Sequence, residues 1–222
     1  MCAVVLAAWG CHTAQVVAPD PPLRAASASL YAVDVEFDLP VERTTAEDVS
    51  RYAVHAAAPP GTSYTVASAT VIDTLDARVV QLILPAWFGD TTFDHTDFTV
   101  VSDGVVDYLG RSTGRRSATF RSGLEYATLA GDPAAYGMKP FFDARCVSCH
   151  GAAADSGKYR CDSYPALFGP GVDATPDLIA GDPACLLVVK CKPHRSMFNR
   201  GLMTYFDFER LRNWVENYQA RP

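Results

Sequence analysis

The chain has 222 residues, of which 49% are hydrophobic, 20% charged and 11% aromatic. That is globular composition, enough for one large domain or two small ones, and it excludes disorder. A formal charge of −6 argues against sequence-independent binding to nucleic acid, and no uncharged apolar run reaches the roughly 20 residues of a spanning helix. The charge is uneven. Residues 1–123 carry eight Arg, no Lys and fourteen acids, while 124–222 balance at eleven each and hold five of the seven cysteines. So abrupt a shift predicts two domains with separate jobs.

The opening M-C-A-V-V-L-A-A-W-G-C is apolar, and no charge precedes Asp20. Its length suits the core of a signal peptide, and Ala-Trp-Gly-Cys ending at Cys11 reads as a lipoprotein-like cleavage site with Cys11 as lipid anchor. Residues 14–28, with Pro19, Pro21 and Pro22, then read as a tether.

From Tyr31 the pattern alternates. Val33, Val35, Phe37 and Leu39 share one face, and Asp34, Glu36 and Asp38 share the other, which predicts a strand with one wet side. Thr44–Val49 predicts a helical turn, followed by strands near Tyr52–Ala57, Tyr64–Ile72, Ala77–Leu84, Asp97–Val101 and Ser117–Arg121. Short strands at this spacing predict an antiparallel sandwich. Asp73, Asp76, Asp90, Asp94 and Asp97 read as a solvated acidic rim rather than a Ca²⁺ site.

Three stretches resemble a bacterial immunoglobulin-like family of surface-layer and other exported proteins: V-D-V-E-F-D-L-P-V-E (33–42), T-A-E-D-V-S-R-Y-A-V (45–54) and G-V-V-D-Y-L-G (104–110). The resemblance implies a spacer or adhesive module.

Cys146-Val147-Ser148-Cys149-His150 is a C-x-x-C-H pattern. Two thiols at this spacing add to the two vinyl groups of haem, and the adjoining imidazole reaches the iron from one face. The rival reading is zinc: Cys146 and Cys149 with Cys191 and His194 would form a Cys₃His site, leaving His150 without a role. Near the C-terminus, Thr204-x-x-Asp207 is a capping-box-like start, after which Phe208, Leu211, Trp214, Val215 and Tyr218 recur at helical spacing. Pro133–Ala144 predicts a helix leading to the motif.

Asp-Ala-Arg-Cys-Val-Ser-Cys-His-Gly (143–151), together with the terminal helix, resembles a class I c-type cytochrome domain over nearly all of 123–222. The resemblance implies one covalent haem c, with His150 as proximal iron ligand and Met197 as distal ligand. His194, Met203 or an open distal position are the alternatives. It often has Ser where Cys185 stands, and a disulfide between Cys161 and Cys191 is then expected as a clamp over the haem loop.

No acid lies between Asp182 and Asp207, whereas Lys190, Lys192, Arg195 and Arg200 do, a signed patch suited to haem propionates or an acidic redox partner. The expected architecture is therefore multidomain: a signal and tether (1–28), an Ig-like antiparallel β-sandwich (29–122) and an all-α cytochrome c domain (123–222). The expected function is an exported, periplasmic or surface-anchored monohaem electron carrier, touching the membrane only through a lipid anchor. A haem enzyme or sensor with an open distal site, or a zinc-stabilised interaction protein, are the other readings.

Overall fold

A computed structural model of the chain describes residues 23–29, 31–57, 62–73, 75–84, 96–127, 137–153, 156–172, 174–201 and 203–222. The proposed leader and Cys11 lie outside these residues, as do Asp90, Asp94 and the first part of the expected helix from Pro133.

Alternating apolar residues set the first half. Strands β1 (Arg24–Ser29), β2 (Ala32–Glu36), β3 (Tyr52–Ala56), β4 (Ser63–Tyr64), β5 (Ser68–Val71), β6 (Val79–Ile83), β7 (Asp97–Asp103) and β8 (Arg115–Arg121) form two antiparallel four-stranded sheets. Their orders are β1-β2-β6-β5 and β4-β3-β7-β8. Val33 and Val35 face Val54, Phe98, Val100 and Phe120 across a common core, with Phe98 and Phe120 stacked at 5.5 Å. A short helix, α1 (Arg43–Ala46), closes one end, capped by the Glu42 carboxylate on the amides of Thr44 and Thr45.

The remaining helices are α2 (Lys139–Arg145), α3 (Val147–His150), α4 (Tyr164–Leu167), α5 (Leu186–Cys191), α6 (Ser196–Arg200) and α7 (Tyr205–Glu216). All but α7 run four to seven residues. The expectation of an Ig-like sandwich followed by an all-α cytochrome c domain is therefore corrected. The regular structure among the described residues is chiefly two β-sheets with short helices, and no separate all-α domain stands beside them.

The physical reason lies in α7. Its apolar stripe, Phe208, Leu211, Trp214 and Val215, is buried among the other helices. Part of its polar side, Asp207, Glu209 and Asn213, is also covered, because it lies on the outer side of β1 and β2. The Asn213 amide donates to Asp34 Oδ2 (3.0 Å) and Asn217 donates to the Ala28 carbonyl (3.0 Å). Beyond the helix end, the hydroxyls of Tyr218 and Ser27 bond at 2.6 Å. Arg24 stands 4.6 Å over the Phe206 ring and reaches Asp207 (3.5 Å). The side of β2 expected to be wet is thus buried, with Asp34 only 2% exposed. Burial pushes the Asp34 carboxyl up to about 7, although Gln81 and Asn213 both donate to it.

Three other expectations shift. Arg24–Ser29, expected as tether, is edge strand β1. The run Tyr64–Ile72, expected as one strand, splits: β4 pairs with β3 in one sheet and β5 with β6 in the other. Asp73, expected on a solvated rim, is buried and accepts from the amides of Leu75 and Asp76.

Candidate functional site

Helix α2 delivers the chain to the C-x-x-C-H motif. Pro140 sits in its first turn, where a missing N–H costs nothing, and Phe141 and Phe142 are buried against α7. The chain breaks at Cys146, between α2 and α3, and resumes helical for one turn. The His150 amide bonds the Cys146 carbonyl (2.8 Å), so these two residues stand one turn apart on the same side of α3. Cys149 is exposed and Cys146 is half-buried.

A cavity of about 380 Å³ opens beside this turn. It brings together Cys146, Cys149 and His150 from the motif, Cys161 and Cys191 from later segments, and Met197 and Met203. Met197 is half-buried in α6, while Met203 is buried just ahead of α7. The Met203 amide bonds the Phe198 carbonyl (3.1 Å) and the Gly201 amide bonds Met197 O (2.9 Å), so a tight turn links the two methionines that line the cavity.

His150 Nδ1 lies 3.2 Å from the Tyr159 carbonyl. A carbonyl only accepts, so Nδ1 carries the proton and the lone pair of Nε2 is left for a metal. Tyr159 is itself fixed: its ring packs edge-on to His150 (6.1 Å between centroids) and its hydroxyl donates to Leu167 O (3.0 Å). Burial pushes the Tyr159 hydroxyl far above its usual range, so it stays a neutral donor.

Of the residues singled out from sequence, His194 is not part of the cavity; it is exposed, with a left-handed backbone (φ 65°). Cys161 and Cys191, expected as a disulfide, are free thiols, both buried and both on the cavity wall. Cys185 is a free, buried thiol at the N-terminal end of α5. Among the described residues no group of three or more His, Cys, Asp or Glu is arranged to hold a metal ion by itself.

Of the four cations expected near the site, Lys190 and Arg200 line the cavity and Lys192 and Arg195 do not. Arg145, which the acid-free interval 183–206 could not reveal, joins them from α2 and pairs with Asp207 of α7 (3.2 Å). Sequence reasoning also missed Tyr159. Asp177 is a buried carboxylate on the cavity wall, and a Cβ at Gly171 would stand 2.8 Å from its Oδ2, so the neighbouring loop needs glycine there. The one signal for Tyr159 was the alternation Tyr159-Arg160-Cys161, with a charge between two apolar residues.

No protein-family model matches the chain, and no curated protein matches it. Among solved structures it is similar to surface layer protein SbsC, domains 1-6 (TM-score 0.40, 17% identity, over 46% of this chain and 14% of that one). The N-terminal part of the same S-layer protein gives 0.36 at 18% identity, over 45% of this chain and 24% of that one. A thermostable esterase gives 0.29 at 14% identity, over 46% and 34%. The chain thus spans about a seventh of the first of these proteins. Likeness this weak carries no functional weight. No helix among the described residues is long and apolar enough to cross a membrane.

Proposed function

We propose that this chain is an exported monohaem c-type electron carrier and not an enzyme, with haem c held through Cys146 and Cys149 and its iron ligated by His150 and Met197. One observation carries the reading: the cavity gathers two thiols at C-x-x-C spacing, an imidazole whose Nδ1 proton is fixed by Tyr159 O, and the methionines Met197 and Met203. The donor set fits the group, because thiols form the thioether links while imidazole and thioether sulfur suit haem iron. When bound, haem supplies a one-electron couple between two iron oxidation states.

The chain's own residues do the rest. The Tyr159 carbonyl orients the His150 ring and raises its basicity. The apolar wall formed by Leu187 and Met203 limits water, which tunes the potential through the local dielectric. Arg145, Lys190 and Arg200 set a positive rim suited to propionates and to an acidic redox partner. Export follows from the chemistry of the reading, since covalent haem attachment in bacteria takes place outside the cytoplasm; the apolar start with Cys11 as lipid anchor belongs to the same proposal.

The test is a pyridine haemochrome spectrum of the protein made together with a haem-attachment system. The expected result is one haem c per chain, lost in the Cys146→Ser/Cys149→Ser double variant; a chain with no covalent haem overturns the reading. A second outcome concerns the distal ligand. Met197→Ala is expected to remove the absorption band that an iron–thioether bond gives in the oxidised protein; its survival assigns Met203 instead.

A further inference from the structure

A second cavity, of about 410 Å³, opens where the edges of the two sheets approach each other. Its walls are residues 23–27, at β1, and residues 117–121 of β8, and the start of α7 adds Phe206 and Arg210. Each strand ends its sheet: β1 pairs only with β2, and β8 only with β7. β1 is further engaged by α7 and the turn after it, through Asn217 to the Ala28 carbonyl and Tyr218 to Ser27. On β8, by contrast, the main chain of Ser117, Ala118 and Thr119 bonds β7 alone among the described residues. The middle of both walls is small, with Ala25 and Ala26 facing Ser117, Ala118 and Thr119, which leaves room for a short extended segment.

Three guanidiniums, those of Arg24, Arg121 and Arg210, line the cavity, and no carboxylate does. Arg24 is fixed by Glu36 and Asp207 and Arg121 by Asp97, none of them a lining residue, while Arg210 donates to the Gly137 carbonyl. We propose that this cleft docks an extended acidic segment of a partner protein, which adds as a strand to the open edge of β8 at Ser117, Ala118 and Thr119. Main-chain hydrogen bonds hold such a strand, and carboxylates on alternate residues reach the guanidiniums from one side of it. The arginines also decide against a second copy of this chain. Antiparallel pairing of β8 with itself about Ala118 would set Arg115 opposite Arg121 twice over, and like charges placed directly opposite destabilise a sheet. The same charges favour an acidic strand. The docking site does not depend on the haem reading.

The full chain is titrated into fluorescein-labelled Thr-Val-Glu-Val-Glu-Val-Thr amide, with the peptide carrying Lys in place of both Glu as control, and anisotropy is read at low and at physiological salt. The Glu peptide is expected to bind saturably and more weakly as salt rises, and the Lys peptide not to bind. Hydrogen exchange of the complex is expected to slow at residues 117–119, which a charge-only contact would not do. Arg121→Gln/Arg210→Gln is expected to weaken binding about tenfold. Thr119→Trp, a change at an exposed position, fills the cleft and is expected to abolish binding with the parent's urea midpoint kept. No saturable binding, equal binding of the Lys peptide, or binding without slowed exchange at 117–119 each overturns the proposal in the parent chain alone. Sedimentation of the chain by itself is expected to give a monomer; a dimer with slowed exchange at 117–119 overturns the proposal in favour of a second copy.

Discussion

Trp214→Ala is expected to destabilise the fold by about 3–5 kcal/mol, the range for removing a large buried aromatic. Trp214 is fully buried at the centre of the helical cluster. Its ring meets Phe142 edge-on at 5.9 Å and Tyr126 at 6.3 Å. Its indole N–H donates to the Arg221 carbonyl (3.1 Å), and the same carbonyl accepts from the Tyr126 amide (2.9 Å), so one side chain ties α7, α2 and the chain end together. Because α2 runs directly into Cys146, the cavity is expected to loosen as well. Urea unfolding reads the cost as a lower midpoint at unchanged slope. Trp214→Phe separates two contributions: it keeps most of the ring packing but removes the hydrogen bond, and is expected to lose about 1–2 kcal/mol. A loss below about 1 kcal/mol for Trp214→Ala would mean that the cluster is not organised around this residue.

How much of this was legible in sequence depended on the range of the interaction. The capping box of Thr204 and Asp207 forms within four residues, and both of its bonds are present at 3.1 Å. The apolar period of α7 and the C-x-x-C-H spacing are equally local, and each puts its residues on one side of a helix. What failed was long-range. Alternation along β2 separates a polar from an apolar side, but it does not say what covers the polar one. The cover comes from Asn213, 179 residues further along the chain. The same holds for β1. Arg-Ala-Ala-Ser-Ala-Ser has no β-branched residue, and it becomes a strand because β2 pairs with it from Glu36 to Ala32. In the cavity, the C-x-x-C-H motif announced Cys146, Cys149 and His150, but Tyr159 and Arg145 act through a backbone carbonyl and a position on α2, for which no motif exists.

The second large effect lies in that covered seam and takes the form of a pH dependence. Asp34 is completely buried, with its carboxyl raised to about 7 by desolvation, partly offset by hydrogen bonds from Gln81 and Asn213. Glu209 of α7 and Glu36 of β2 are raised too, each first by burial; Glu209 pairs with Arg212 (2.6 Å) and Glu36 with Arg24 (2.6 Å). For an acid raised on folding, the native state binds more protons than the unfolded chain between the two pKa values. Unfolding free energy therefore falls as pH climbs from about 4 to about 7 and levels off above. Three pH units at about 1.4 kcal/mol each give a fall of up to about 4 kcal/mol from Asp34. Asp34→Asn removes that titration while keeping an acceptor for one amide, and Gln81 can turn its own oxygen toward the new N–H₂. The variant is expected to be more stable than the parent at pH 8 by a few kcal/mol and nearly equal to it at pH 4. Urea midpoints across that interval measure the difference. A parent whose stability stays level from pH 4 to 8, or a variant that tracks it throughout, would mean that Asp34 keeps its proton equilibrium unchanged on folding and that α7 does not seal the seam. Because Arg145 at the cavity and Arg24 of β1 both reach Asp207, a seam that loosens above pH 7 frees the end of α2 beside Cys146. The cavity then depends on the β-sheet for its geometry, which a freestanding helical domain would not require.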